Sequence, residues 1–136
     1  MRWMVSRRNN GGNLGMMNYA YANNAYKNNQ VMAAPKKKLI IMLYDGAIKN
    51  LKLAEMALPN GEIENVNLYL TKTQDIIFEL MTTLNFEAGG DIAKNLYQLY
   101  DYMYNRLVRA NIDKDIEAVK EVKKYLEELR DTWEQI

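Results

Sequence analysis

A chain of 136 residues is long enough for one domain with its own core and too short for two comfortable ones. Eighteen basic residues against seventeen acidic ones leave a formal net charge of +1, so no global field recruits nucleic acid or an anionic membrane surface. Cysteine and histidine are absent and the only serine is Ser6, which excludes disulfides, Ser-His-Asp and Cys-His nucleophiles, zinc centres and the Glu-x-x-His pairs of bundle di-iron sites.

The chain begins with an Asn- and Gly-rich stretch, "RRNNGGNLGMMNYAYANNAYKNNQ", that carries neither a helical stripe nor strand alternation. Such a segment buries too little apolar surface to offset its ordering entropy, so residues 1–30 are expected to be a flexible arm and residues 31–136 the folded domain. The arm's tyrosines, Tyr19, Tyr21 and Tyr26, suit transient docking on an apolar groove. Its "GGNLG" cluster follows no strand and opens no helix, which leaves phosphate binding without structural support. The longest apolar run, Leu39 to Tyr44, falls far short of the roughly 20 residues that span a bilayer, and no signal-peptide core precedes it. The expected location is the cytoplasm, without membrane insertion.

From Pro35 onward the pattern is helical. Pro35 suits the first position of a helix, and "LPNG" (Leu58 to Gly61) is its stop. A second helix is marked by Ile63, Val66, Leu70, Thr73, Ile77, Leu80 and Leu84, spaced alternately by three and four. "NFEAGGD" then breaks the chain, with Gly89 and Gly90 as the turn and Asp91 as N-cap of a third helix. Its inner stripe is expected to be Ile92, Leu96, Leu99, Met103, Leu107 and Ala110, with Ala93, Tyr97, Tyr100 and Tyr104 forming a second row about 90° round. After "NIDKD", Ile112, Ile116, Val119, Leu126, Leu129 and Trp133 mark a fourth helix. Nothing alternates with period two, and short connections force sequential helices to be antiparallel. The expected fold is all-α, an antiparallel up-down-up-down four-helix bundle with a flexible N-terminal arm.

Carboxylate pairs such as Glu127 with Glu128 read as solvated helix faces, and so do the basic runs Arg7–Arg8, Lys36–Lys38 and Lys123–Lys124; no enzyme, cofactor or metal is expected. The informative excess is apolar. "LIIMLY" places six apolar side chains in succession on the first helix, more than one bundle face can bury. Four tyrosines (Tyr97, Tyr100, Tyr102, Tyr104) crowd eight residues of the third. Gly46, inside a helix, suggests a second backbone passing close by, or tight packing on a sister helix. Together these features favour a helix-in-groove binder that covers an amphipathic segment of a partner.

The segments "LYDGA" (Leu43 to Ala47), "LNFEAGGDIAKNLYQLYDYMYNRL" (Leu84 to Leu107) and "LEELRDTW" (Leu126 to Trp133), with "YKNNQV" (Tyr26 to Val31) before them, resemble the flagellar secretion chaperone family FliS over roughly residues 17–136. The resemblance implies a non-enzymatic cytoplasmic bundle that binds the disordered C-terminal segment of flagellin, keeps it from polymerising early and aids flagellar type III export. The export apparatus and other flagellar regulators are the further partners it implies. On that likeness Tyr26 and Val31 belong to a lid, while Ile41, Tyr44, Asp45, Ile48, Tyr97, Tyr100, Tyr104 and Asn105 form the partner-binding set. Apolar members cover the client, and Asp45 and Asn105 orient its polar groups. One departure stands out: "MAAPKKK" has no side-chain cap at Ala34 and puts Lys36 to Lys38 at the positive end of the helix dipole, so residues 36–39 are expected to fray. The rival reading is a structural adaptor that uses the same apolar strip for a weak homodimer and has no export client.

Overall fold

The computed structural model describes residues 26–136, with side chains from Lys36 onward. Residues 1–25 of the Asn-rich arm and the side chains of Tyr26 and Val31 lie outside the described residues. Four helices and no strand form among the described residues: α1 (Tyr26–Ala57), α2 (Ile63–Thr82), α3 (Phe86–Asp113) and α4 (Ile116–Glu134).

Two of the connections close in the same way. Gly61 takes φ 71° after α1, and the N–H of Glu62 donates to the Ala57 carbonyl at 3.2 Å. After α3, Lys114 takes φ 53°, and the N–H of Asp115 donates to the Ala110 carbonyl at 3.0 Å. A left-handed residue thus reverses the chain while the next N–H satisfies a carbonyl left over at the helix end. Glycine does this without steric cost. Lys114, the only described non-glycine residue with positive φ, does it with its ammonium held by Asn67 Oδ1 at 2.6 Å and by Asn111 Oδ1 and O at 2.6 and 2.7 Å. Asp115 then caps α4, its Oδ1 accepting from the N–H groups of Glu117 (3.0 Å) and Ala118 (3.4 Å).

The described chain divides into two compact units, one of residues 26–40 with Glu79–Leu99, the other of Ile41–Phe78 with Tyr100–Ile136. Within the second, all four helices take part. Asp45 pairs with Arg130 and Glu55 with Lys123, so α1 runs antiparallel to α4; Arg106 pairs with Glu121 and the Tyr102 ring meets that of Tyr125, so α3 runs antiparallel to α4; and Lys114, just after α3, reaches Asn67 on α2. This is the bundle that the periodicities imply. Its core is filled by Tyr44, Leu51, Val66, Leu70, Ile77, Met103, Leu107, Val119, Val122 and Leu126, with alanines at 47, 54, 110 and 118 letting the helices approach. Thr73 is the one buried polar residue among those described, and its hydroxyl is satisfied by the Tyr69 carbonyl at 2.9 Å. In the first unit Ile40, Leu80 and Ala93 are buried.

The α2 seam stands as expected from Val66 to Leu80, but Ile63 is exposed. Four other expectations give way. Helix α1 starts at Tyr26 and runs through Pro35 at the loss of one backbone bond, so residues 26–30 are helical and Lys36 to Lys38 lie about three turns in, beyond the reach of the N-terminal dipole. The premise for fraying at residues 36–39 is therefore absent. Helix α3 starts before the glycine pair, with Asn85 Oδ1 accepting from the Ala88 N–H at 3.0 Å in the capping role expected of Asp91. The break is confined to Gly90 (φ 52°, ψ −127°). Ile112 belongs to the end of α3 and is exposed. At Gly46 only the close-backbone alternative gives way: a Cβ there would stand 3.4 Å from Ile76 Cδ1 on α2, in keeping with packing on a sister helix.

Candidate functional site

The expected face of α3 is rotated. Ala93, Tyr100, Met103, Leu107 and Ala110 are buried, Leu96 and Leu99 are half-buried, and Ile92 is 72% exposed. At about 100° per residue the observed core direction lies roughly 35° from the expected stripe, toward Tyr100. The cause is a polar partner: inside the second unit the hydroxyls of Tyr100 and Tyr44 hydrogen-bond each other, and the Trp133 indole N–H, which can only donate, reaches the Tyr44 oxygen. Tyr44 is 0% exposed and Tyr100 2%. Burial pushes the Tyr44 phenol up to about 12, against donation from Tyr100 and Trp133, and burial raises Tyr100 further still with the Tyr44 hydroxyl adding to it. Both remain neutral at physiological pH, so the trio fastens α1, α3 and α4 together and supplies no acid or base.

Around it the second unit carries two charged seams. Arg130 donates its Nε–H to the Asp45 carboxylate, across α4 and α1. Asp45 is exposed but its carboxylate is oriented by this contact rather than free to turn. On the α3–α4 side, Glu121 accepts from Arg106 Nε at 2.8 Å and from the Tyr102 hydroxyl at 2.7 Å, while the Tyr102 and Tyr125 rings meet edge to face at 6.4 Å. Arg106, then Tyr102, hold the Glu121 carboxyl below its usual range. Tyr102 and Arg106 therefore belong to the shoulder of α3 that faces α4.

Among the described residues, the opposite shoulder of α3 shows no such charged seam. Within the second unit Tyr104 and Val108 fall on one strip, roughly 90° from the core direction, with Asp101 and Asn105 beyond; Tyr97 belongs to the first unit. Tyr104 and Val108 are half-buried and Tyr97 is 42% exposed. The Asn105 amide donates to the Asp101 carbonyl and carboxylate at 2.9 and 3.3 Å. On α1, Ile41 is half-buried beside Met42, which is 60% exposed, and Ile48 points inward. Of the eight residues expected at a partner surface, Ile41, Asp45, Tyr97, Tyr104 and Asn105 reach the exterior. Tyr44, Ile48 and Tyr100 lie in the core that supports it.

Several exterior residues had escaped the sequence reading. Phe78 on α2, 58% exposed, follows Ile76 and Ile77 in a run of three apolar residues, the same excess that marked "LIIMLY". Phe86 in the first unit is exposed and meets the Tyr97 ring edge to face at 5.8 Å. Arg130 had no local signal, and Trp133 was expected on the fourth-helix stripe without its partner, since Asp45 and Tyr44 are distant in sequence. No helix among the described residues is long and apolar enough to cross a membrane.

Comparison with known proteins fits this arrangement. A family model described as "Flagellar protein FliS" matches residues 16–136. The chain is 41% identical over 111 residues to a Bacillus subtilis protein named flagellar secretion chaperone FliS, covering 82% of each. It is 40% identical over 116 residues to one of the same name from Vibrio cholerae (82% of this chain, 85% of that one) and 41% identical over 107 residues to one from Salmonella typhimurium (78% and 79%).

Proposed function

The chain belongs to the FliS family of flagellar proteins, and from that premise we propose that it is an export chaperone whose client is the disordered C-terminal segment of flagellin. One observation carries the reading: with the bundle core already filled, large apolar side chains still stand outside, namely Leu39, Met42, Phe78, Tyr97 and the half-buried Tyr104. Large apolar side chains left exposed on a folded domain mark surfaces that another chain covers. A disordered client with an amphipathic helix in it would lay its apolar stripe on these residues. The outcome is sequestration: side chains that drive filament assembly are held against Ile41, Met42, Tyr97 and Tyr104 until export. Asp45, already oriented by Arg130, and Asn105, oriented by Asp101, are polar groups that fix the register of the client. Tyr44, Ile48 and Tyr100 contribute by shaping the helices beneath, and Tyr26 and Val31 belong to the segment proposed to cover the surface when it is empty. Because client folding accompanies binding, the affinity should fall below what the buried area suggests.

Calorimetric titration with a flagellin C-terminal peptide tests this. Tyr104→Ala and Met42→Ala should each weaken binding about tenfold or less, with unfolding midpoints near wild type, since both side chains are at least partly exposed. Unchanged affinity in both would remove these faces from the site. A peptide that neither binds nor dissociates a concentration-dependent dimer would favour the structural adaptor.

A further inference from the structure

We propose that the Phe86–Gly89 turn is a hinged cap, pivoting at Gly90, that holds the Phe86 ring against Tyr97 and must swing aside before Tyr97 is fully available to a bound apolar segment. This rests on the reading of Tyr97 as part of the client surface.

Three local features within the first unit support it. The first is the pivot. Gly90 sits at φ 52° and ψ −127°, outside the right-handed helical region that its neighbours occupy, and a Cβ there would meet nothing within 4 Å. Space does not lock it; only backbone preference does, and glycine has little. The second is how the turn is bonded at its start. On its N-terminal side the Gly89 N–H donates to the Asn85 carbonyl at 2.8 Å, and the Ala88 N–H to Asn85 Oδ1 at 3.0 Å. Both bonds are internal to residues 85–89, so the turn can move as one piece and keep them. The third is what the closed position achieves. It brings the Phe86 and Tyr97 rings to 5.8 Å at an interplanar angle of 61°, an edge-to-face pair, while both remain exposed. It also presses Gly89 so near Ala93 that a Cβ on the glycine would stand 2.8 Å from the Ala93 Cβ. The adjacent glycines thus have separate duties: Gly89 lets the turn lie down on Ala93, and Gly90 lets it bend there.

An edge-to-face pair favours the closed position by about twofold to tenfold beyond the area it buries, and a closed cap lowers apparent affinity for anything that needs Tyr97 by the same factor. Phe86→Ala removes the pair. Gly90→Ala gives the pivot a side chain that cannot hold its backbone angles, and so forces the turn off its closed position. The test has two arms, both on the full chain. In the first, tetranitromethane nitration is followed residue by residue by peptide mapping. Tyr97 should react about twofold to tenfold faster in both variants, while Tyr104, which belongs to the other unit, keeps its wild-type rate. In the second, a flagellin C-terminal peptide is titrated, and both variants should bind it more tightly by a similar factor. Unchanged Tyr97 nitration overturns the cap, as does weaker peptide binding by Phe86→Ala, which would make Phe86 a contact instead. If Gly90→Ala fails to fold, Phe86→Ala decides, since Phe86 is exposed and outside the core. Faster Tyr97 nitration with no peptide binding by any form, wild type included, would uphold the cap and sink the flagellin reading.

Discussion

The hydroxyl pair at the centre of the second unit makes an asymmetric prediction. Tyr44 has two polar neighbours, the Tyr100 hydroxyl and the Trp133 indole, whereas Tyr44 is the one hydroxyl partner of Tyr100 among the described residues. Tyr44→Phe therefore strands a hydroxyl that is 2% exposed, and an unsatisfied buried donor costs about 1–3 kcal/mol. It also takes the acceptor from Trp133, but that side chain is only half-buried and water can replace the bond. Tyr100→Phe leaves Tyr44 still bonded to Trp133, so only the net worth of one hydrogen bond is lost, about 1 kcal/mol. With both hydroxyls removed the cavity is lined by apolar rings of the same shape, and the double variant should cost less than the sum of the singles by about 1 kcal/mol or more. Urea unfolding followed by far-UV circular dichroism measures all three differences, provided the m-value is unchanged. Additive costs, or a Tyr100→Phe variant as unstable as Tyr44→Phe, would refute the buried-partner argument.

The same two phenols set the alkaline limit. Their folded values lie above the usual 10.0, so the unfolded chain loses these protons first; stability is intact below about pH 10 and falls above it by about 1.4 kcal/mol per pH unit for each phenol until Tyr44 titrates near 12. Unfolding midpoints across pH 8–11 check this, and the double Phe variant should flatten the decline. Two glycines separate packing from backbone conformation. Gly46→Ala gains helix propensity with ordinary contact to Ile76 and should raise stability by up to about 1 kcal/mol, while Gly61→Ala, in open space at φ 71°, should lower it by about 1–2 kcal/mol in the same urea assay.

How much of this was legible in the sequence depends on which contacts are local. The α2 seam from Val66 to Leu80 was complete because alternation by three and four needs no knowledge of the partner helix, and the reversal at Gly61 because glycine after a proline stop has few other uses. Helix starts were less legible. Pro35 reads locally as a first position, yet a helix tolerates it when the turns before it can form. Gly89 and Gly90 read as one turn, although only Gly90 leaves the helical region. At the other reversal Lys114 does what the pattern assigns to glycine or asparagine, and its stabilising contact with Asn67 lies across the bundle.

The apolar surplus was legible in the sequence, while which side chains it leaves outside was not. Counting apolar residues beyond what one face can bury pointed to "LIIMLY" and to the tyrosine-rich helix, and both leave side chains outside: Leu39 and Met42 on the first, Tyr97 and Tyr104 on the second. Which tyrosine goes inward turns on a hydroxyl supplied 56 residues earlier in the chain, and no periodicity records that. A buried phenol without a partner is costly, so periodicity alone favours Tyr100 on a wet shoulder; with Tyr44 to bond, the ring enters the core and rotates α3 by a third of a residue step. Within the second unit, that rotation keeps Tyr104 on the shoulder away from α4 and leaves Tyr102 to Glu121. The buried pair thus decides which rings an incoming chain would meet, although neither of its members lies at the surface.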